Sequence, residues 1–196
     1  METSRPGPTG AFGSPPYAGP REVEYPLVPL RSVETNVLVW IQPRLMHPAY
    51  ELWAGERVVA TLRFKDLARR RGLAAGSDGV WTIDDDARVD EVLVVRSGTE
   101  PETIFHPGPS VGGLLIVREE RQFLWEACDL WQREWVFLDE GKHPVLWFEP
   151  DMRRLGHSRV RFGPGFLGDP DSPLLAIMGK YLTLGSRARA DARSSS

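Results

Sequence analysis

From Asn36 onward the chain alternates apolar and polar positions over short runs that turn chemistry interrupts. In VLVWIQP, Val37, Val39 and Ile41 fall on one face, the period-two pattern of a strand. AYELWAGERVVATLRFKD reads as two runs about a hairpin turn at Ala54-Gly55, and GSDGVWTI sets Asp78-Gly79, a strong hairpin signal, before another. DEVLVVRSG, ETIF, GGLLIVRE, RQFLWEA, REWVFLDEGKHPVLWFEP (turning at Asp139-Glu140-Gly141) and HSRVRFG extend the series. About a dozen short strands at close spacing predict a β-barrel or sandwich. No fixed period repeats, which argues against a solenoid or propeller. Residues 119–135 admit two readings. Leu124, Cys128, Trp131 and Trp135 recur at helical spacing, whereas the aromatic enrichment and the turn that follows suit strands.

The pattern changes at the end of the chain. In SPLLAIMGKYLTLG, from Ser172 to Gly185, the alternation gives way to a helix with a written start and stop. Ser172 suits the N-cap and Pro173 the first helical position, Asp169 and Asp171 lie near the positive end of the dipole, and Gly185 suits the C-cap. Leu174, Leu175, Ala176, Ile177, Met178, Tyr181, Leu182 and Leu184 cover every face, so this helix must be buried all round. Among strands, a closed barrel threaded by the helix achieves that. About 12 helical residues span roughly 18 Å, and a strand of ~5–6 residues spans a similar ~17–20 Å. An eight-stranded barrel is filled by its own side chains, so a central helix needs a wider wall. Gly179 and Ala176 are small enough to let that wall approach. The predicted fold is mainly β: a closed barrel of about twelve short strands around a central hydrophobic C-terminal helix. Residues 1–35, rich in Pro and Gly, are expected to be a disordered N-terminal segment, residues 36–185 the barrel domain with its helix at 173–184, and residues 186–196 a disordered tail.

Composition narrows the setting. The chain has 196 residues, a formal charge of −3 and one cysteine, Cys128. The charge gives no reason to expect nucleic acid, and a lone cysteine, with no intrachain disulfide, fits a reducing compartment. No secretory signal is visible, and the closing apolar run, interrupted by Lys180, falls short of the ~20 residues of a transmembrane segment. A cytoplasmic location is therefore expected.

The strand meander, with YELWAGERVVATLRFKD, GVWTI and the terminal PLLAIMGKYLTL, resembles the tubby C-terminal-like superfamily, on its compact scramblase-like or LURP-one-related side. The resemblance implies a non-enzymatic barrel without a cofactor. Tubby domains bind membrane phosphoinositides through paired basic side chains, and scramblase-like proteins associate with membranes and bind calcium. The counterpart of the basic pair is Arg63 and Lys65, two residues apart and so on one side of a strand, with Arg69, Arg70 and Arg71 in the loop beyond. Guanidinium groups fit phosphate well, so these five residues are the candidate site for anionic phospholipid; a solvated strand face and basic turn is the alternative. The expected role is binding or scaffolding at a membrane surface, with lipid or a protein as partner. A carrier of a small apolar ligand is the second reading, and it needs the helix outside the barrel. DDDARVDEV offers Asp84, Asp86 and Asp90, but the ligand order of a calcium-binding EF-hand loop is absent.

Other chemistry is thin. GPGFLG, Gly163 to Gly168, spells a dinucleotide fingerprint, but the following helix starts too late and no second strand follows, so a connecting loop is expected. His47, His106, His143 and His157 are scattered without metal-ligand spacing, and His47 and His143 are expected at the surface. Cys128, between aromatics, reads as a small structural hydrophobe. The seven tryptophans read mostly as core or wall fillers, with a pocket or a membrane-facing rim as the alternative.

Overall fold

The computed structural model describes residues 26–44, 47–66, 69–86, 91–96, 101–108, 112–118, 120–154 and 156–194. Its strands are β1 (Val37–Ile41), β2 (Ala49–Ala54), β3 (Arg57–Phe64), β4 (Arg71–Gly76), β5 (Gly79–Asp86) and β6 (Glu91–Arg96). They continue as β7 (Pro101–Pro107), β8 (Gly112–Val117), β9 (Arg121–Ala127), β10 (Trp135–Leu138), β11 (Pro144–Pro150) and β12 (Ser158–Phe162). The stretch that admitted two readings is thus strand β9 and the connection that leads into β10. Each strand pairs antiparallel with its sequence neighbours, and β12 closes on β1 to complete a twelve-stranded barrel. One helix, α1 (Ser172–Ser194), follows.

Strand alternation decides what faces inward. On β1, Leu38 and Trp40 are buried, so the face carrying Val37, Val39 and Ile41 is the outer one. Around the wall the inner positions include Tyr50 and Leu52, Leu62 and Phe64, Trp81 and Ile83, Phe123 and Trp125, and Leu146 and Phe148. They share one core with Leu174, Leu175, Ile177, Met178, Tyr181 and Leu182 of α1. Every residue of α1 from Ser172 to Leu184 is buried, so the helix fills the barrel. At Gly179 the wall presses close on the helix: a Cβ there would fall on the edge of the Phe148 ring, well inside van der Waals contact. The inner positions of β4 are Gly72, Ala74 and Gly76, and the small residues beside Tyr181 leave room for its ring.

Two ends of the expected domain move. Residues 1–25 of the N-terminal segment lie outside the described residues, but Leu30–Ser32 forms a 3-10 turn, and Leu30 and Val33 are buried in the core. The core therefore begins upstream of Asn36, because these apolar side chains cover the barrel's end. At the other terminus Gly185 does not stop the helix, which runs on to Ser194 through residues expected to form a tail. The N-cap also shifts by one residue. The Asp171 carbonyl accepts the first helical bond from Leu175 N–H at 2.9 Å, while the Ser172 hydroxyl donates to Leu167 C=O at 3.1 Å. The β4–β5 turn likewise comes one residue early, at Ser77-Asp78, with Gly79 already paired to Gly76. Gly163 to Gly168 is a connecting loop that includes the 3-10 turn Phe166–Gly168.

An up-and-down barrel has two rims. Connections that follow even-numbered strands lie at one, here the lower rim, where β12 also ends and α1 starts. Connections that follow odd-numbered strands lie at the upper rim, where α1 leaves. At the lower rim Arg121 clasps Asp169 with two bonds of 2.9 and 3.1 Å and also pairs with Asp171, and Arg118 donates to Asp171 at 3.0 Å. This cluster seats the helix start in the mouth of the barrel, and its bonds hold the Arg121 proton above the usual arginine range, the bond to Asp169 foremost. Near the upper rim Lys180 is buried and donates to Gly156 C=O at 2.9 Å and to the Ser158 hydroxyl at 2.8 Å. The Tyr181 hydroxyl donates to Arg70 C=O at 2.8 Å.

Candidate anion-binding rim

All five predicted basic residues lie at or beside the upper-rim turn between β3 and β4, in unequal settings. Arg63 is half-buried on the outer face of β3, opposite Ala49 and Leu73, because Leu62 and Phe64 on either side point into the core. Lys65 and Arg70 are exposed, and Arg69 is half-buried with a φ of 57°. Arg71 opens β4 and shares its charge with Asp84 at 3.5 Å, an exposed pair of small energetic weight. The turn is built by Asp66, whose carboxylate accepts the N–H groups of Arg70 at 3.0 Å and Arg71 at 2.9 Å. Lys65 N–H closes it on Arg71 C=O at 2.9 Å. The Asp66 carboxylate is spent on the backbone, and the Lys65 and Arg70 side chains beside it are exposed.

Two further basic connections stand on the same rim. β2 lies beside β1, and β1 beside β12, so the β1–β2, β3–β4 and β11–β12 connections are consecutive around the barrel. Arg44, exposed, stands on the first, and Arg153 and Arg154, exposed, on the last. Asp151 organises the β11–β12 connection as Asp66 does its own: it accepts the N–H groups of Arg153 at 2.8 Å and Arg154 at 3.2 Å. These bonds, Arg153 first, hold the Asp151 carboxyl below the usual carboxylate range. Lys65, Arg69, Arg70, Arg44, Arg153 and Arg154 form no ion pair among the described residues. Burial raises the pKa of Tyr50, and the positive charge of Arg69 on the β3–β4 connection opposes that rise.

Sequence reading found the cluster that is contiguous in the chain and missed Arg44, Arg153 and Arg154. Ring order was the signal that joins them: once twelve strands close, every connection after an odd-numbered strand shares a rim.

The remaining candidates separate. Asp84 is taken by Arg71, while the Asp86 side chain and Asp90 lie outside the described residues. Among the described residues no three His, Cys, Asp or Glu side chains gather in a way that would hold a metal ion. His47 and His143 are exposed, and His106 pairs with Glu91 at 3.1 Å. Cys128 is exposed, a correction to its expected place as a small core hydrophobe: it sits where β9 runs out into the upper-rim connection. Desolvation of its sulfur, together with the charges of Glu134, Glu126 and Asp129 and against Arg161, pushes the thiol up to about 11. It is therefore protonated at neutral pH and a poor nucleophile. Trp40, Trp81, Trp125 and Trp135 are core fillers, and Trp147 is a wall residue with the Arg161 guanidinium 4.2 Å above its ring, but Trp131 is exposed.

Comparison of the chain with protein-family models, with curated proteins and with solved structures finds no match. No described helix is long and apolar enough to cross a membrane.

Proposed function

We propose that this protein is a non-catalytic binding domain, of the kind its resemblance to tubby-like barrels implies, and that its upper rim docks on an anionic phospholipid surface. The observation that carries the reading is the arc of basic side chains on three consecutive connections, none of them in an ion pair among the described residues. A single bound anion needs charges that converge on a point. Charges spread along a rim suit a charged plane, where each basic residue near the surface contributes about 1 kcal/mol. Arg63 and Arg71 stand at the margin of this site, since one is half-buried and the other already shares an aspartate. The carrier reading loses support because α1 and the inward side chains occupy the barrel interior.

Co-sedimentation with vesicles tests the reading. The full chain is expected to bind phosphatidylcholine–phosphatidylserine vesicles at low salt, to leave them as salt rises, and to ignore pure phosphatidylcholine. Reversing Lys65, Arg70, Arg153 and Arg154 to glutamate is expected to weaken binding by a hundredfold or more, on the order of 1 kcal/mol per lost cation. Binding that ignores vesicle charge, or that survives the reversal, overturns it. Binding of an acidic protein instead, with no vesicle binding, assigns the rim to a protein partner.

A further inference from the structure

Among the described residues six large apolar side chains are counted as exposed, and they divide sharply. Val37, Val39 and Val80 are outer strand residues at 37–39% exposure, the ordinary half-covered wall of a barrel. Leu130 is 98% exposed, Trp131 78% and Met152 69%. These three stand at one place in the fold. Leu130 and Trp131 form the tip of the β9–β10 connection, and Met152 lies on the β11–β12 connection; β10 pairs with β11, so the two are neighbours on the upper rim. Met152 is followed directly by Arg153 and Arg154 of the basic arc.

The tip is built to hold those side chains out. Asp129 accepts the backbone N–H of Arg133 at 2.7 Å and its Nε–H at 2.8 Å, and Gln132 takes a φ of 53°, which closes the turn behind Leu130 and Trp131. The Trp135 indole donates to Gln132 C=O at 3.2 Å and stacks on Trp125, so the base of the loop is anchored in the core. A core tryptophan thus fixes the loop that exposes another. Exposing Leu and Trp to water at a rigid tip costs free energy that burial elsewhere would recover.

We infer that Leu130, Trp131 and Met152 are an apolar wedge that enters the interfacial layer of an anionic bilayer when the upper rim docks. The inference rests on the reading of that rim as lipid-binding and adds how the contact is made. The occupant follows from the company the wedge keeps. Met152 leads directly into the exposed Arg153 and Arg154, the pairing of apolar and cationic groups expected where anionic headgroups overlie hydrocarbon, while beside Leu130 and Trp131 the cation Arg133 is paired with Asp129. Tryptophan is the side chain enriched at that boundary.

The test uses the full chain with phosphatidylcholine–phosphatidylserine vesicles whose acyl chains carry bromine, a short-range quencher of tryptophan. Wild-type emission is expected to be quenched on binding, and the quenched component to be absent from Trp131→Phe. Leu130→Ser with Trp131→Ser is expected to weaken vesicle binding by about tenfold or more, since two side chains lose their place in hydrocarbon, and to leave a residue of binding that salt removes fully. Both sites are exposed, so the variants are expected to keep the wild-type far-ultraviolet circular dichroism and urea midpoint. Binding to anionic vesicles with Trp131 unquenched and the double variant unimpaired overturns the wedge and leaves the basic rim standing. Quenching that persists on neutral vesicles, unaffected by reversal of the rim cations, keeps the wedge and overturns the basic reading. No binding to either vesicle overturns both. A self-association that the double variant disperses, seen by sedimentation velocity, overturns the wedge in favour of a second copy of this chain.

Discussion

The two rims of the barrel use arginine in opposite ways. At the lower rim the start of α1 buries Asp171, and a buried carboxylate must be compensated, so Arg118 and Arg121 fold over it and Arg121 takes Asp169 as well. At the upper rim Asp66 and Asp151 stay near solvent and accept backbone N–H groups, and the neighbouring Arg70, Arg153 and Arg154 form no ion pair among the described residues. Residue type does not distinguish these arginines. What distinguishes them is the burial of the acid beside them: a buried acid recruits its cations into the fold, and an acid spent on the backbone leaves them available to something outside. The helix follows the same division. It is held through the barrel by packing, at its start by ion pairs, and near its exit by the hydrogen bonds of Lys180 and Tyr181.

The largest test of that division is along α1 itself. Gly179→Ala drives a methyl group into the Phe148 ring, which is itself held edge-on against Trp125 at 5.7 Å. Overpacking against so fixed a neighbour is expected to cost roughly 3 kcal/mol or more, beyond the ~1 kcal/mol that alanine gains in a helix. Gly185→Ala, at the upper outlet with nothing near its Cβ, is expected to be neutral or to stabilise by up to about 1 kcal/mol. Urea unfolding of the two variants reads both. Equal effects would mean that α1 is not gripped inside the barrel as described.

The arginines themselves come next. Arg118→Ala with Arg121→Ala strips the buried Asp171 of its cations and is expected to destabilise the fold by about 3 kcal/mol, the lower end of the range for breaking a buried pair because both guanidinium groups are half-exposed. Arg153→Ala with Arg154→Ala is expected to stay within about 0.5 kcal/mol of wild type, while vesicle binding weakens. A stability loss at the upper pair as large as at the lower would break the comparison and make the basic arc structural.

How much of this was legible in the sequence depends on how far each signal reaches along the chain. The helix was legible because it is apolar on every face over one continuous run, and the barrel around it because strands are local. Its stop at Gly185 was misread: the residues beyond, rich in Ala and Arg, are good helix formers, and one glycine costs only about 1 kcal/mol. The N-cap was misread by one residue because Asp171 and Ser172 are both good caps, and the choice was made by the arginines of the β8–β9 region some fifty residues away. Of the site, residues 63–71 were legible as one basic run. Arg44, Arg153, Arg154 and Trp131 join it only through ring order. Trp131 in particular lies between Trp125 and Trp135, two core residues, and nothing local marks it as the one that faces out.

The smallest expected effect lies in the acids that shape the upper loops. Asp129 is held below the usual carboxylate range by its bonds to Arg133, the side-chain bond first, and Asp151 by the N–H groups of Arg153 and Arg154. A carboxyl whose pKa is depressed on folding contributes stability that is complete above its unfolded value of about 4 and is lost as pH falls through the lower folded value. Acid should therefore loosen these two loops while α1, held by apolar burial, keeps the barrel closed. An NMR titration of the carboxyl carbons is expected to give Asp129 and Asp151 midpoints below those of the same residues in the unfolded chain, with the amide resonances of Arg133, Arg153 and Arg154 moving together with them and the core amides unmoved. Asp139 at the lower rim, which accepts the His143 N–H at 2.8 Å and is likewise held low, is the control for a loop without a docking role. If the core amides shift with the loops, the upper rim is part of the barrel's cooperative unit, and the division between a rim that seats the helix and a rim left for a partner fails.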